Sequence, residues 1–186
     1  MFKISQQSLL RVSTITIKNF RSFYGEREPI ELSVEAEHPV TIFHGTSGRG
    51  KTTLLNAIHW CIYNREGKIK QKKTSSEGLV HSCTIESLKQ GEEDDMSVEI
   101  LIENENHMIE YEIKREIKIK KSSKGGEDSW NPILLAKVSP SIEATQNISF
   151  AYRDQDTDDI RRISSKDDSN KIDNINERIE KIFPNV

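Results

Sequence analysis

The sequence has little cysteine, no long apolar run and no apolar leader. Only two cysteines occur in 186 residues, and Cys61 and Cys83 lack the CxxC spacing of metal and redox motifs, which favours free thiols in a reducing compartment. No apolar run approaches the roughly 20 residues that cross a bilayer. The first ten residues lack the apolar stretch of a secretion signal. The sequence therefore predicts a cytoplasmic protein with no membrane-spanning helix.

An excess of positive charge is also missing. The 27 Lys and Arg residues are opposed by 30 Asp and Glu residues, and the formal net charge is -3. No global basic field indicates nucleic acid, so any DNA contact must come from a local patch. Hydrophobic residues make up 34% and charged residues 31%, which is typical of a folded domain rather than a disordered chain. The length allows one domain with a single core.

Hydrophobic periodicity predicts alternating strands and helices in the first third of the chain. Residues 15–17 and 30–34 alternate apolar and polar side chains, as half-exposed strands do. Residues 40–43 are almost continuously apolar and predict a strand buried in the centre of a sheet. Residues 51–63 carry apolar side chains at helical spacing.

The remainder of the chain is more polar and contains a long predicted hairpin. Its arms are residues 98–102 and 109–119, with a turn at 104–106. We expect a short helix near residues 85–89, weaker strands at 133–138 and 148–152, and a helix at 172–183 that Pro184 ends. The polar segments 64–78 and 122–129 are predicted loops, and residues 154–170 are highly polar.

The most specific feature is a glycine-rich loop between the third strand and the first helix. Residues 45–52 read GTSGRGKT, which fits the P-loop pattern G-x-x-x-x-G-K-[ST]. Its glycines let the backbone curl so that N–H groups point at phosphate oxygens. Lys51 would reach the β- and γ-phosphates of ATP, and the Thr52 hydroxyl would ligate Mg²⁺. The predicted nucleotide-binding residues are Gly45, Thr46, Ser47, Gly48, Arg49, Gly50, Lys51, Thr52 and Thr53.

Residues around this loop resemble a known family. The stretches ITIKNFRSF (15–23), residues 40–45 and KTTLLNAIHWCIY (51–63) are similar to the N-terminal ATPase lobe of SMC-like, ABC-type ATPases, which include SbcC-type repair ATPases, RecF and DndD. The phrases LLNAIHWCIYN, LVHSCTIESLKQGE and INERIEKIFP most resemble the DndD group of DNA sulfur modification proteins and related phage-defence ATPases. Ser47 stands where SMC-like P-loops usually have Asn.

The resemblance implies an α/β P-loop NTPase fold, with a core sheet joined to an antiparallel β-subdomain as in lobe I of an ABC or SMC head. The whole chain, 1–186, would be the N-terminal nucleotide-binding lobe. Within it, residues 11–63 would form the Walker A core, 79–153 the β-hairpin subdomain, and 170–184 a helix leading towards a Q-loop beyond the chain. Arg21, in the family's NFRSF position, would contact the phosphates or base of the nucleotide.

The resemblance also implies what this chain does not carry. Residues 98–103 imitate a Walker B strand, but Glu99 interrupts it and no Asp-Glu pair follows. Gly125 and Gly126 imitate a signature motif within a predicted flexible loop. We therefore expect ATP-driven head engagement with Mg²⁺, and hydrolysis completed by residues outside this chain. The implied partners are double-stranded DNA, a C-terminal head lobe or second ATPase subunit, and a nuclease or effector.

Two basic stretches could contact DNA phosphates. Residues 65–73 carry Lys68, Lys70, Lys72 and Lys73, which are the predicted DNA contacts. Residues 114–124 form the second stretch. A solvated loop and an exposed hairpin are the alternative interpretations.

Two rival functions remain open on the sequence alone. A small-molecule P-loop kinase would need arginines in a lid, and only Arg161 and Arg162 are candidates. An ATP-sensing interaction module would bind the nucleotide without hydrolysing it. Both rivals use the same P-loop, so the loop does not separate them from the SMC-like ATPase.

Overall fold

In the computed structural model, the described residues are 10–33, 35, 37, 38, 40–64, 78–104, 106, 108–121, 130, 131, 136, 137, 142–154, 156–166 and 169–184. The strands are β1 (Arg11–Lys18), β2 (Ile30–Glu31), β3 (Glu93–Glu103), β4 (Ile109–Lys121), β5 (Trp130–Asn131), β6 (Ala136–Lys137), β7 (Ile142–Arg153) and β8 (Ile160–Ser164). The helices are α1 (Lys51–Tyr63), α2 (Ser82–Ser87) and α3 (Ser169–Ile182).

One antiparallel sheet organises the fold. Six strands lie in the order β2-β1-β3-β4-β7-β8, and β5 and β6 form a separate pair. The predicted hairpin is confirmed: β3 and β4 pair in register from Glu93 opposite Lys120 to Ile102 opposite Tyr111. β1 pairs with β3 on the other side and with β2, so both strands that precede the P-loop in sequence belong to the same sheet as the hairpin.

The core lies between one face of this sheet and two helices. Alternate residues of β1, β3 and β4 are buried there, which follows from the two-residue period of a strand. α1 packs on β3 and β4, and α3 packs on β7 and on α1. Ile175 and Ile179, four residues apart, are the buried side chains of α3. Both predicted helices are confirmed, and α1 has the predicted bounds.

The opposite face of the sheet carries charged side chains that pair across strands. Lys114 Nζ lies 3.6 Å from Glu99 Oε2, and Lys120 Nζ lies 2.6 Å from Glu93 Oε1. Both pairs are directly opposite in the β3–β4 register. Two lysines of the second basic stretch, Lys114 and Lys120, therefore face an acidic strand and are locally neutralised.

The predicted buried strand at 40–43 is wrong. The described residues 40–44 form no strand, and the side chains of Val40 and Ile42 are 70% and 84% exposed. A continuous apolar run indicates a strand covered on both faces, but no described strand pairs with residues 40–43. A core sheet separate from the antiparallel β-subdomain is not seen among the described strands, since β1 and β2 lie in the same antiparallel sheet as the hairpin.

Three other predictions differ from the structure in detail. β2 has two residues instead of the predicted 30–34. The helix expected near 85–89 is α2, which begins earlier because the His81 side chain accepts a hydrogen bond from the backbone N–H of Cys83 at 3.1 Å. β8 lies inside the highly polar segment 154–170, for which the sequence predicts no strand; as an edge strand it is largely exposed, so it has few buried apolar side chains to indicate it. The predicted loop 122–129 lies outside the described residues, as does most of 133–138.

Candidate nucleotide-binding site

The P-loop leads directly into the N-terminus of α1. Gly48 and Gly50 have φ angles of +80° and +91°, a left-handed backbone that glycine adopts without strain. Gly50 is the N-cap of α1, and its carbonyl accepts the first helical hydrogen bond from Leu54 N at 2.9 Å. The early N–H groups of a helix lack helical partners and mark the positive end of its dipole. The arrangement fits the binding of phosphate.

The side chains of the P-loop are open to solvent. Lys51 is exposed, and its Nζ donates to the carbonyls of Gly45 and Thr46 at 2.6 and 2.9 Å. Its ammonium thus bends back over the loop whose backbone would hold the phosphates. The other exposed members of the predicted set are Thr46, Ser47, Gly48, Arg49 and Thr52, whereas Gly45, Gly50 and Thr53 are half-buried.

The NFRSF turn, residues 19–23, packs against the P-loop although some 30 residues separate them. Ser22 Oγ and Thr53 Oγ1 lie 3.1 Å apart at hydrogen-bond distance. A Cβ placed on Gly50 would lie 3.4 Å from Ser22 Oγ. The structure therefore brings the segment that contains Arg21 to the P-loop, and a nucleotide contact by Arg21 stays a prediction.

The backbone of the NFRSF turn is held in an unusual conformation. Asn19 and Arg21 have φ angles of +51° and +48°, which cost residues other than glycine about 1–3 kcal/mol each. Hydrogen bonds from Arg21 N to Leu79 O and from His81 N to Asn19 O, both at 2.8 Å, hold the turn against residues 79–81. Such strain is concentrated at functional sites, which favours a functional position for the half-buried Arg21.

The Asn19 side chain completes this support. Its Oδ1 accepts from the Gly25 N–H at 2.9 Å, and its Nδ2 donates to the Asp95 carbonyl at 2.8 Å. Asn19 is buried, and both polar atoms of its amide are used. It connects the turn to the start of β3.

Arg115 belongs to the second basic stretch, which the sequence offers as a possible DNA contact, but the structure does not expose it. Arg115 on β4 is fully buried, and its Nε donates to the carbonyl of Cys61 in the last turn of α1 at 2.7 Å. Burial lowers the pKa of the guanidinium to about 10, so it stays protonated at neutral pH. The sequence contains one indication of this burial: a charged residue stands among the isoleucines that alternate on the buried face of β4.

The remaining candidates divide into those the structure describes and those it does not. Lys68, Lys70, Lys72 and Lys73 lie outside the described residues. Arg161 and Arg162 lie on β8, where Arg161 Nε is 2.6 Å from Asp154 Oδ2 and Arg162 Nη2 is 2.7 Å from Glu112 Oε2. Among the described residues, no cluster of His, Cys, Asp and Glu could hold a metal ion, and no helix is long and apolar enough to cross a membrane. Thr52, the predicted magnesium ligand, is exposed beside Lys51 at the start of α1.

Comparison with known proteins places most of the chain in one family. A family model described as an AAA domain matches residues 14–185. A segment of 56 residues matches the DNA replication and repair protein RecF of Chlorobium luteolum at 35% identity, of Chlorobaculum parvum at 39% and of Chlorobaculum tepidum at 38%. The segment is 30% of this chain and only 14% of each relative. No solved structure matches the chain significantly.

Proposed function

The chain belongs to the AAA domain family of SMC-like P-loop ATPases, and we propose that it is the ATP-binding N-terminal lobe of a DNA-associated ATPase. The proposal rests mainly on the shape of the P-loop: Gly48 and Gly50 adopt left-handed backbone angles at the N-terminus of α1, and the Lys51 ammonium lies over the loop. Backbone N–H groups of the loop would hold the phosphates, and Lys51 would exchange its carbonyl partners for phosphate oxygens. Bound Mg²⁺, held by Thr52, would neutralise phosphate charge.

Arg21 would supply a second cation at the nucleotide. The contact between the NFRSF turn and the P-loop brings its backbone near the phosphate-binding loop, and hydrogen bonds from the turn to residues 79–81 hold it there. A guanidinium suits phosphate oxygens because its donors form a fixed, planar fork. Arg21 would therefore contact the phosphates or the base.

A second lobe would complete the head. Val40, Ile42 and Phe43, neighbours in sequence before the P-loop, are large exposed apolar side chains. Apolar residues grouped in this way mark an interaction surface, and a C-terminal lobe or a second subunit would cover it and supply the residues that activate water. On this proposal residues 11–63 bind nucleotide, residues 79–153 form the sheet that supports them, and residues 170–184 lead towards the Q-loop.

The physiological context would be DNA maintenance or defence. The RecF relatives are named for DNA replication and repair, and the phrases after the P-loop resemble DndD-like DNA modification and phage-defence ATPases. We assign the DNA contacts to Lys68, Lys70, Lys72 and Lys73 and expect a nuclease or effector as a partner. Reversing the charge of Lys70, Lys72 and Lys73 should weaken salt-sensitive duplex binding by the assembled protein. Unchanged binding would remove this assignment.

Titration of the purified chain with MgATP tests the nucleotide-binding proposal. The wild type should bind, and Lys51→Ala should weaken binding at least about tenfold because one charge-assisted phosphate contact is lost. Lys114→Ala, which removes a lysine on the far face of the sheet, is the matched control and should bind as the wild type does. No binding by the wild type would refute the proposal. Steady-state turnover abolished by Lys51→Ala would show that the chain hydrolyses ATP without a second lobe.

A further inference from the structure

We propose that Arg115 is a positioning residue of the nucleotide site. Its guanidinium would connect the C-terminal end of the P-loop helix to α3, so that nucleotide affinity and the stability of α3 depend on each other. The inference rests on the proposed function, because it requires the N-terminus of α1 to bind a triphosphate. Arg115 itself would not touch the nucleotide.

The contacts of Arg115 join three elements. Nε donates to Cys61 O at 2.7 Å, and Nη2 donates to Ile62 O at 3.2 Å. Nη2 also donates to the side-chain oxygen of Asn176 on α3 at 2.6 Å. One buried side chain on β4 therefore holds both the last turn of α1 and the middle of α3.

The end of α1 needs such a cation. Its last carbonyls lack helical partners and carry the negative end of the helix dipole, yet the last turn of α1 contains no basic residue. The Trp60 carbonyl is satisfied by Asn64 N at 2.9 Å. Arg115 satisfies the next two carbonyls from outside the helix and supplies the missing positive charge.

The burial of Arg115 is costly for a role in packing alone. Its three acceptors are two carbonyls and an amide, and its Nη1 is buried without a hydrogen-bond partner. A buried charge is often less favourable than a well-packed apolar side chain of similar volume. A methionine at this position would avoid the desolvation but could not hold α1 and α3 in register. The arrangement is better explained by positioning than by stability.

α1 connects this contact to the P-loop. A helix of 13 residues is a rod of about 20 Å, fixed at its N-terminal end by the packing of the NFRSF turn. Its tilt, and hence the direction of its first N–H groups, depends on its packing against β3 and β4 and on what holds the other end. If ATP binding fixes α1, the Arg115 contacts transmit that restraint to α3, and by linkage α3 restrains α1 equally.

The test compares ATP affinity with stability in three folded variants of the 186-residue chain. Asn176→Leu removes the α3 contact, Arg115→Lys keeps the charge but loses the fork, and Lys114→Met, the neighbouring lysine on the opposite face of β4, is the control. Calorimetric titration with MgATP should give a Kd raised about fivefold or more in Asn176→Leu, a smaller rise in Arg115→Lys, and none in Lys114→Met. In the wild type, MgATP should also slow amide hydrogen exchange in α3, and this effect should be lost in Asn176→Leu.

The outcomes separate this inference from the proposed function. If the wild type does not bind MgATP, the proposed function fails and the inference fails with it. If the wild type binds, but Asn176→Leu and Arg115→Lys have lower melting temperatures with an unchanged Kd, Arg115 is only structural and the inference alone is refuted. Exchange in α3 that does not respond to MgATP would refute it as well.

Discussion

The ring of Phe23 lies against the backbone of Gly50, the last glycine of the P-loop. A Cβ placed on Gly50 would meet Phe23 Cζ at 3.1 Å, closer than side chains ordinarily approach. The φ angle of Gly50, +91°, separately disfavours any other residue. Two independent constraints therefore keep glycine at this position, and one of them comes from the NFRSF turn.

Gly50→Ala should destabilise the chain by about 1–2 kcal/mol from the backbone conformation alone, with a further cost from the Phe23 ring. Phe23→Leu in the same chain should recover the second part and leave the first. Urea unfolding of the single and double variants measures both contributions. Gly45→Ala is the control, because its Cβ would meet only Arg49 Cβ at 3.9 Å, and a comparable loss there would contradict the explanation.

The two cysteines should differ sharply in reactivity. Cys61 is buried, its Sγ donates to the carbonyls of Val98 and Ile113, and burial raises the pKa of its thiol to about 12. Cys83 is exposed. Because the thiolate is the reactive form, Ellman's reagent at pH 8 should titrate one thiol in the native chain and two in denaturant. Cys83→Ser should leave no fast thiol; rapid labelling of Cys61 in that variant would contradict the packing of α1 on the sheet.

The turn between β7 and β8 should depend on pH through Asp154. Its Oδ1 accepts hydrogen bonds from the N–H groups of Asp156 and Thr157, and its Oδ2 pairs with Arg161. These interactions, the Asp156 hydrogen bond first, lower the pKa of Asp154 below its ordinary value of 3.8. The unfolded chain therefore binds the proton more readily, so the stabilisation is present above that value and is lost as the pH falls through the folded pKa.

Asp154→Asn should accordingly be less stable than the wild type at pH 7 and pH 5. The difference in the free energy of unfolding should shrink below about pH 4, the ordinary range of an aspartate. Urea unfolding at pH 7, 5 and 3.5 measures it, and Glu177→Gln, an exposed carboxylate on α3, controls for the change in net charge. A difference that stays constant down to pH 3.5 would assign the loss to something other than the carboxylate.

The exposed run before the P-loop should contribute little to the stability of this chain. Ile42→Ala should change the free energy of unfolding by less than about 0.5 kcal/mol, whereas Ile100→Ala, fully buried on β3, should cost about 2–5 kcal/mol. The same Ile42→Ala change should weaken association with the second lobe in the assembled ATPase. Equal losses in the two variants would mean that Ile42 is covered within this chain.

Most of the fold followed from local pattern. The hairpin and α1 were predicted because period-two and helical spacing are strong in β3, β4 and α1, and the P-loop was predicted because its residues have fixed physical roles. The strand predicted at 40–43 is wrong because an apolar run indicates only that a segment is to be shielded from water. It does not indicate which part of the protein or of a partner shields it. β8 was missed because an edge strand has few buried side chains. The buried contacts of Arg115 were not predicted, because its acceptors are carbonyls of α1 and an amide of α3. No residue spacing within β4 could indicate them.

The Lys51 ammonium already has two oxygen partners, the carbonyls of Gly45 and Thr46. Binding of a polyphosphate would therefore replace these carbonyl partners of Lys51 with phosphate oxygens. Only the difference between the old and the new partners contributes to affinity. Displacing the two carbonyls costs the same for every anion, so it lowers all anion affinities alike, and only a ligand that also accepts hydrogen bonds from the backbone N–H groups of the loop offsets that cost.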